Sequence, residues 1–307
     1  MDRVIRIGTR ESELAVWQAT LVKDLLAENG FKAELVFIKS EGDTDLKTPL
    51  YEIGVQGIFT KTLDIALLSK QVDIAVHSMK DVPTQLAKGI IQATVLPRAS
   101  YKDLLVPKHD ASFLDNPGAA TVIATSSIRR KAQWLNRFPH HTLENLRGNV
   151  NTRLQKVKDN NWNGAIFAAA GLERIGLRPA NAVELDWMLP APAQGAIMVV
   201  CREEDAYCYA ACQPLHDKET AICATTERDF LRALLGGCST PISALAQVKD
   251  GLLNFTGNIL SLDGKEKREI SKQVSLDNIA NLGSLAANEM LMNGGQSILD
   301  GIRNGQK

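Results

Sequence analysis

The strongest constraint on the fold is an alternation of strand-like and helix-like segments through the first two-thirds of the chain. The apolar run Val4-Ile5-Arg6-Ile7, for example, precedes a segment whose apolar residues recur at helical spacing. This alternation is typical of α/β sheets with mostly parallel strands. It breaks after Pro97 and again at Pro190-Ala191-Pro192. Beyond the second break, a long helix, a hairpin at Asp263-Gly264 and a closing helix over residues 278–292 predict a small α+β domain.

The composition is that of an ordinary globular protein of two or three domains. The chain has 307 residues, of which 45% are hydrophobic and 23% charged. Its apolar stretches are far shorter than the roughly 20 residues that cross a bilayer. No signal-peptide pattern follows Met1, and five cysteines do not suggest a secreted disulfide framework. A cytoplasmic location is therefore expected, and a plastid location would require a transit peptide that this sequence does not contain.

Charge is balanced over the whole chain, with 35 basic and 35 acidic residues, but one segment departs from that balance. Residues 121–160 carry eight basic side chains and only two acidic ones. An anionic ligand is therefore the first functional expectation. Nucleic-acid binding by this patch is a rival interpretation, and it predicts a DNA affinity that falls steeply with salt.

A candidate catalytic carboxylate lies in the segment His77-Ser78-Met79-Lys80-Asp81-Val82-Pro83. An apolar strand ends there, and Pro83 biases Val82 away from helix. Asp81 thus follows the carboxyl end of a strand, where open α/β sheets bind their ligands. The alternative interpretation is a turn aspartate that only caps the neighbouring backbone.

Arginines recur at turns that lead from a strand into a helix. The turns are Thr9-Arg10-Glu11-Ser12, Ser126-Ser127-Ile128-Arg129-Arg130 and Arg147-Gly148-Asn149-Val150-Asn151-Thr152-Arg153. A cation in the first turn of a helix opposes the helix dipole, whereas an anion bound between paired arginines and free N–H groups would explain them. The pattern predicts a cleft for carboxylates or phosphates, with a solvated basic helix start as the alternative.

Cys238 lies in a glycine-rich loop, Gly236-Gly237-Cys238-Ser239-Thr240-Pro241, at the predicted end of a helix. The flanking glycines and proline disfavour burial in a regular element, so Cys238 is a candidate nucleophile. A helix C-terminus does not lower a thiol pKa, so the group that it attacks would have to be strongly electrophilic. No metal site is expected, because Pro214 interrupts the ligand-like spacing from Cys208 to His216.

Eight segments together resemble the porphobilinogen deaminase family and follow in order along essentially the whole chain. They read IGTRESELAVWQA, GIFTK, DIAVHSMKDVPT, ATSSIRRKAQ, LRGNVNTRL, AAAGLERIGL, PAPAQGAI and GGCSTPISA. The resemblance implies an enzyme that condenses four porphobilinogen molecules head to tail into 1-hydroxymethylbilane and releases ammonia each time. It also implies a dipyrromethane cofactor, bound through a thioether to a cysteine. The azafulvene that forms when ammonia leaves is electrophilic enough to alkylate a modest thiol.

The family's motifs assign roles to residues of this chain by position. The resemblance implies that Asp81 is the catalytic carboxylate, hydrogen-bonded to pyrrole N–H groups, and that Cys238 carries the dipyrromethane. Fifteen further residues are expected to contact cofactor or substrate: Arg10, Ser12, Gln18, Phe59, Lys80, Ser126, Ser127, Arg129, Arg130, Arg147, Gly148, Arg153, Gly171, Arg174 and Gln194.

By the same resemblance, the fold class is α/β with three domains. The first two are expected to be similar to a two-lobed type II periplasmic-binding-protein fold, and the third is a small C-terminal α+β domain. The expected boundaries are 1–98 with a return segment 194–216, then 99–193, then 217–307. The protein is expected to be a monomer that binds porphobilinogen and the growing polypyrrole chain, without nucleic-acid or membrane partners. A non-catalytic two-lobed binder of small organic anions is the alternative.

One departure from the family pattern lies in a glycine-containing lid candidate, residues 40–56. The family usually has a lysine before Gly-Leu-Phe, where this chain has Gln56, and Glu52 is acidic where a basic residue is common. Lid contacts to substrate carboxylates, and the rate of elongation, are therefore expected to differ from those of the family. Phe59 is retained and is expected to stack on a pyrrole ring.

Overall fold

The computed structural model describes residues 3–39, 60–116, 118–234 and 240–305. The strands are β1 (Ile5–Thr9), β2 (Ala33–Phe37), β3 (Ile74–Ser78), β4 (Ile90–Val95), β5 (Asp103–Pro107), β6 (Val122–Ala124), β7 (Thr142–Glu144), β8 (Gly164–Ala168), β9 (Val183–Glu184), β10 (Ile197–Arg202), β11 (Ile242–Lys249), β12 (Leu252–Leu260) and β13 (Lys267–Ser275). The α-helices are α1 (Glu13–Glu28), α2 (Lys61–Leu68), α3 (Ile128–Arg137), α4 (Val150–Asp159), α5 (Ala169–Glu173), α6 (Ala206–Cys212), α7 (Lys218–Ala233), α8 (Leu282–Met290) and α9 (Gln296–Gly305). None of the helices in these ranges combines the length and the apolar character needed to cross a bilayer.

The first sheet has the strand order β2-β1-β3-β10-β4. β1 runs parallel to β2 and β3, whereas β10 runs antiparallel to β3 and β4. The apolar face of α1 covers this sheet because Ala19, Val22 and Leu26 recur at helical spacing and are fully buried. This sheet and the helices packed on it are called the first lobe.

The second sheet repeats that arrangement with the order β7-β6-β8-β5-β9. β6 runs parallel to β7 and β8, and β5 runs antiparallel to β8 and β9. With α3, α4 and α5, this sheet forms the second lobe. The prediction of mostly parallel sheets is therefore only partly right. The antiparallel strand of each sheet is the one that reaches it from the other lobe: β10 follows the second lobe in sequence, and β5 follows the first.

The third sheet, β11-β12-β13, is antiparallel and packs against α7 and α8. The rings of Phe230 on α7 and Phe255 on β12 meet edge to face at 5.2 Å in its core. The predicted hairpin is present, with Gly264 at a φ of +74° in the turn. The predicted closing helix is interrupted at Leu291–Gly295, where Gly294 has a φ of +94°, and resumes as α9. The α/β class with an additional small α+β domain is confirmed.

Candidate active site

Asp81 lies at the end of a central strand of the first lobe. Four consecutive residues of β3 are buried, and the strand passes directly into a 3-10 turn, Met79–Asp81. Met79 is buried within this turn and Asp81 is half-buried. Val82 is extended, as its place before Pro83 requires. The carboxyl group thus lies just beyond the carboxyl end of a strand, where the sequence pattern predicts it.

Charged groups of both lobes converge on Arg153 of α4. The pKa of Arg153 is lowered to about 10, mainly by burial; the cations Arg130, Arg147 and Arg10 contribute to the lowering and Asp81 opposes it. Arg10 follows β1 and Asp81 follows β3 of the first lobe, whereas the other groups follow strands of the second. The cleft between the lobes therefore holds Asp81 among several arginines.

Lys80 is a partly buried ammonium in the same cleft. The pKa of Lys80 is lowered to about 8, mainly by burial; Asp81 opposes the lowering and Arg130 contributes to it. The Nζ atom donates a hydrogen bond to Oε1 of Gln194 at 3.2 Å. Lys80 is therefore a cation that loses its proton at weakly alkaline pH.

Gln194 connects Lys80 to Asp103, a buried carboxylate that the sequence analysis missed. Gln194 is fully buried, and its Nε2 donates to Oδ1 of Asp103 at 2.9 Å and to the carbonyl of Tyr101 at 2.8 Å. Asp103 begins β5, so the connection runs from the turn of Asp81 to a strand of the second lobe. A lone acidic residue opening the apolar run of β5 is the only sequence signal for it.

Arg129 and Arg130 both bind Asp103. Nη2 of Arg129 lies 2.7 Å from Oδ2, and Nη2 of Arg130 lies 2.7 Å from Oδ1. Their Nη1 atoms donate to the carbonyls of Leu189 and Ile166. Burial by itself raises the pKa of Asp103, but the two guanidiniums hold it well below its usual range. The anion between these paired arginines is thus a side chain of the protein, and their contact with a ligand stays a prediction.

Small residues fix the backbone at the second-lobe turns. Oγ of Ser126 donates to the carbonyl of Leu146 and accepts its N–H, both at 2.9 Å, so it joins the turn after β6 to the turn after β7. Ser127 caps α3 by accepting the N–H of Arg130 at 3.4 Å. Gly148 has a φ of +110°, and a Cβ there would come within 2.7 Å of a neighbouring side chain. These residues shape the turns from which the arginines project.

Arg147 and Arg153 flank Gly148. Arg147 is buried, and its carbonyl accepts a hydrogen bond from Lys156 at 3.2 Å. Nε of Arg153 donates to the carbonyl of Gly148 at 2.7 Å. Within the described part of the chain, the terminal nitrogens of Arg153 make no hydrogen bond. They are therefore available to an anionic ligand.

Further predicted contacts lie on α1 and α5, on the two sides of the cleft. Ser12 is the N-cap residue of α1, and Gln18 is buried with its Nε2 donating to Oγ of Ser78 at 2.9 Å. Gly171 of α5 faces α1, since a Cβ on it would lie 3.7 Å from Leu14. Both helices therefore reach the same cleft.

Arg174 follows α5 and contacts the first lobe. Its guanidinium carbon lies 5.7 Å from the ring centroid of Trp17, and its Nη2 donates to the carbonyl of Gly195 at 2.7 Å. Burial lowers the pKa of Arg174 to about 10. Its Nε is buried and has no hydrogen-bond partner among the described residues. Contact of Arg174 with a ligand stays a prediction.

Two predicted site residues, Phe59 and Cys238, lie outside the described residues, as do the lid candidate with Glu52 and Gln56. The other four cysteines are buried free thiols: Cys201, Cys208, Cys212 and Cys223. Burial raises the pKa of each. They are therefore poor nucleophiles.

Fold and site together define a two-lobed α/β protein that gathers cations around Asp81 and carries a third, α+β domain. Residues 5–210 match the sequence model described as "Porphobilinogen deaminase, dipyromethane cofactor binding domain". Residues 221–292 match "Porphobilinogen deaminase, C-terminal domain". The chain belongs to the porphobilinogen deaminase family.

Individual relatives cover nearly the same span. A curated protein from Syntrophotalea carbinolica, named porphobilinogen deaminase, is 40% identical over 299 residues, which are 96% of this chain and 95% of that protein. Among solved structures, lipoprotein Tp32 from Treponema pallidum covers 72% of this chain and 95% of its own, at 13% identity and a TM-score of 0.45. A nutrient-binding protein from Burkholderia cenocepacia, bound to methionine, covers 70% and 93%, at 13% identity and a TM-score of 0.44.

Family membership makes the chain a transferase of tetrapyrrole biosynthesis with a dipyrromethane cofactor. The predicted family, activity and cofactor are confirmed, and the alternative of a non-catalytic anion binder is not favoured. The roles of individual site residues stay predictions.

Proposed function

We propose that this chain condenses porphobilinogen into 1-hydroxymethylbilane in the cleft between the lobes, with Asp81 as its catalytic carboxylate. The observation that carries the proposal is the placement of Asp81 at the end of β3 together with arginines at strand ends of both lobes, whose charges act on Arg153. Each porphobilinogen brings two carboxylates, so the bound chain becomes more anionic at every addition. Arginines that surround Asp81 suit such a ligand.

The cations of the cleft differ in which of their nitrogens are free to bind a ligand, so we assign them different roles in binding. Arg153 offers its terminal nitrogens to ligand carboxylates, and Arg174 adds a guanidinium beside the first lobe. Arg10 and Arg147 add positive charge beside them. Lys80 supplies an ammonium next to Asp81, and its hydrogen bond to Gln194 holds it there. This donor set fits the acetate and propionate groups of a dipyrromethane as well as those of the substrate.

The paired arginines Arg129 and Arg130 act mainly as a fixed source of positive potential. Asp103 neutralises part of their charge and aligns both guanidiniums. Both arginines lower the pKa of Lys80 while Asp103 raises it, and this supports a positive potential that Asp103 partly offsets. The remaining predicted contacts serve binding by shaping the cleft: Ser12, Gln18, Ser126, Ser127, Gly148 and Gly171.

Asp81 stabilises positive charge and moves protons. Charge develops on a pyrrole nitrogen when ammonia leaves the substrate, and again when the new carbon–carbon bond has formed. A fixed carboxylate that accepts the pyrrole N–H stabilises both cations and can take up the proton that is finally lost. Partial burial strengthens these interactions, because the surrounding dielectric constant is lower than in water.

Cys238 is the proposed attachment site of the dipyrromethane. The role is taken from the family motif GGCSTPISA, in which Cys238 is the cysteine. The four cysteines among the described residues are buried, and burial raises their pKa values, so they are poor alternatives. When bound, the dipyrromethane supplies the pyrrole to which substrate units are added. Phe59 is proposed to stack on a pyrrole ring.

The proposed domains are residues 1–98 with 194–216, residues 99–193 and residues 217–307. The return of β10 to the first sheet and the separate antiparallel sheet of β11–β13 support this division. We further propose a cytoplasmic monomer, consistent with four described cysteines that are free thiols.

The test uses the full chain incubated with porphobilinogen, followed by oxidation and detection of uroporphyrin. Intact mass should exceed the sequence mass by one dipyrromethane, and Cys238→Ser should lose that increment. Asp81→Asn should keep fold and cofactor but lose turnover by roughly 10²–10⁴-fold. Asp277→Asn, at an exposed position of the third domain, is the matched control and should be unaffected. An active Asp81→Asn enzyme would refute the role of Asp81, and an unmodified wild-type mass would refute the tether.

A further inference from the structure

Arg228 of α7 binds the backbone of the turn that carries Asp81. Its Nη1 donates to the carbonyls of Met79 and Val82, at 3.2 and 2.8 Å, and its Nη2 donates to the carbonyl of Pro83 at 2.6 Å. Arg228 and Met79 are 149 positions apart in sequence, and Arg228 is only 6% exposed. A helix ahead of the third sheet therefore contacts the catalytic turn of the first lobe directly.

The guanidinium is unusual because its hydrogen-bond partners are neutral. Within the described ranges, Arg228 has no carboxylate at salt-bridge distance, and burial lowers its pKa to about 10. A buried cation without a counter-charge is costly, so an aliphatic side chain would be cheaper to bury. That side chain would, however, leave the carbonyls of Val82 and Pro83 without a donor among the described residues, whereas the carbonyl of Met79 would keep the N–H of Val82. Unpaired buried carbonyls are costly as well. The guanidinium therefore supplies donors that the carbonyls of this turn need.

The bound carbonyls lie on both sides of Asp81. Met79 precedes it by two positions, and Val82 and Pro83 follow it directly. On the opposite side, the N–H of Met79 donates to the carbonyl of Ala196 at 3.0 Å, which ties the turn to the first sheet. Because the guanidinium is planar and its donors are rigidly spaced, it fixes these carbonyls relative to one another as well as to α7.

We propose that Arg228 is a positioning residue for catalysis: it holds the Met79–Pro83 turn so that the carboxylate of Asp81 meets the pyrrole N–H of the reacting units. The inference rests on the proposed role of Asp81. Arg228 acts through Asp81 and leaves binding of substrate carboxylates to the cleft arginines. Removing it should therefore lower kcat while KM changes little.

Arg232 provides a matched control on the same helix. It lies one turn after Arg228 and donates to the carbonyl of Thr84 at 3.1 Å, but its side chain is 58% exposed. Arg232→Gln removes the same charge from the same helix, one hydrogen bond to the next residue of the same segment and an exposed ion pair with Asp229 at 3.4 Å. It should change kcat by less than about twofold, because a solvated hydrogen bond contributes little.

The experiment compares Arg228→Gln, Arg228→Lys, Arg232→Gln and Asp81→Asn as cofactor-bearing holoenzymes, with cofactor loading checked by intact mass. Misplacing a catalytic group by about 1 Å costs on the order of 10²-fold, so Arg228→Gln should lose roughly 10- to 100-fold in kcat. Arg228→Lys keeps the charge but cannot bridge all three carbonyls, so its kcat should fall between that of Arg228→Gln and that of the wild type. It also keeps the test open if Arg228→Gln does not fold.

A double-mutant cycle with Asp81→Glu separates positioning from general stability. If Arg228 acts through Asp81, Arg228→Gln should cost much less in the Asp81→Glu background, where the carboxylate is already displaced. Equal costs in the two backgrounds, or a loss confined to KM, would overturn the inference. If Asp81→Asn itself remains active, the proposed role of Asp81 fails instead. If only Asp81→Asn loses activity and both Arg228 variants match the wild type, Arg228 has no positioning role.

Discussion

Replacing Asp103 by asparagine tests the network that holds the paired arginines. Asp103 is fully buried and accepts hydrogen bonds from Arg129, twice from Arg130, and from Gln194, at 2.7–3.1 Å. Asparagine has nearly the same shape, but it carries no charge and directs an NH2 donor at one of these donors. The variant therefore leaves two buried cations without their counter-ion.

The size of the effect follows from that burial. Removing one partner of a buried ion pair costs about 3–5 kcal/mol in the free energy of unfolding. With about 2–4 °C of Tm per kcal/mol for chains of 150–250 residues, the Tm should fall by roughly 6–20 °C. Gln194 keeps an acceptor in the amide oxygen of the asparagine and another in the carbonyl of Tyr101, so the main effect is expected on the free energy of unfolding.

The assay is thermal unfolding followed by circular dichroism at pH 7. Asp186→Asn is the control, because Asp186 pairs with Lys102 at 2.7 Å but its side chain is 75% exposed. Such a surface pair is worth at most about 1 kcal/mol, so the control should barely shift the Tm. A Tm loss for Asp103→Asn no larger than that of the control would refute the reasoning.

The pH dependence of the free energy of unfolding independently checks the direction of the Asp103 pKa shift. The pKa of Asp103 is depressed in the folded state, so its stabilising contribution is present above the unfolded pKa of about 3.9 and is lost as pH falls toward the folded value. The gap in stability between wild type and Asp103→Asn should therefore narrow as pH falls from about 5 to 3. A gap that widened over this range would contradict the depressed pKa.

Two further predictions concern single charged groups. Lys80 has a pKa of about 8, so its ammonium is present below that pH and lost above it. The kcat/KM of the wild type should therefore fall as the pH rises through about 8. Lys80→Arg keeps its charge at that pH and should remove this alkaline decrease. An unchanged decrease in Lys80→Arg would contradict its assignment to Lys80. Glu227 is fully buried and accepts hydrogen bonds from Arg98 and from the N–H groups of Ala193 and Ala246 at 2.6–2.7 Å. Glu227→Gln should lower the free energy of unfolding by about 3–5 kcal/mol, measured as a lower midpoint of urea unfolding. An unshifted midpoint would refute this stabilising role of Glu227.

Local sequence patterns predicted the elements that carry the site. The helix α1 and the strand β3 follow from apolar spacing, because each buries its own face against one sheet. The turns at Ser127 and Gly148 follow from residue types that cap a helix or adopt a positive φ. These signals lie within a few residues of the feature that they predict.

Strand direction and the partners of buried charges could not be predicted in this way. β10 pairs with β3 and β4 although more than 100 residues separate it from them, and no local periodicity records that return. Asp103 likewise binds Arg129 and Arg130 from another element, a partner that the residues around the two arginines did not indicate. Pairing of this kind depends on which elements meet in three dimensions.

The amino-acid sequence by itself determined the family, the chemistry and the identity of the carboxylate and thiol proposed to perform it, because those reside in contiguous motifs. The tertiary structure alone decided which charges lie near each other. It set Arg153 among the cations of both lobes and Arg228 against the turn of Asp81. The physical reason is that electrostatic and hydrogen-bond energies depend on distances between atoms, which the order of residues along the chain does not specify.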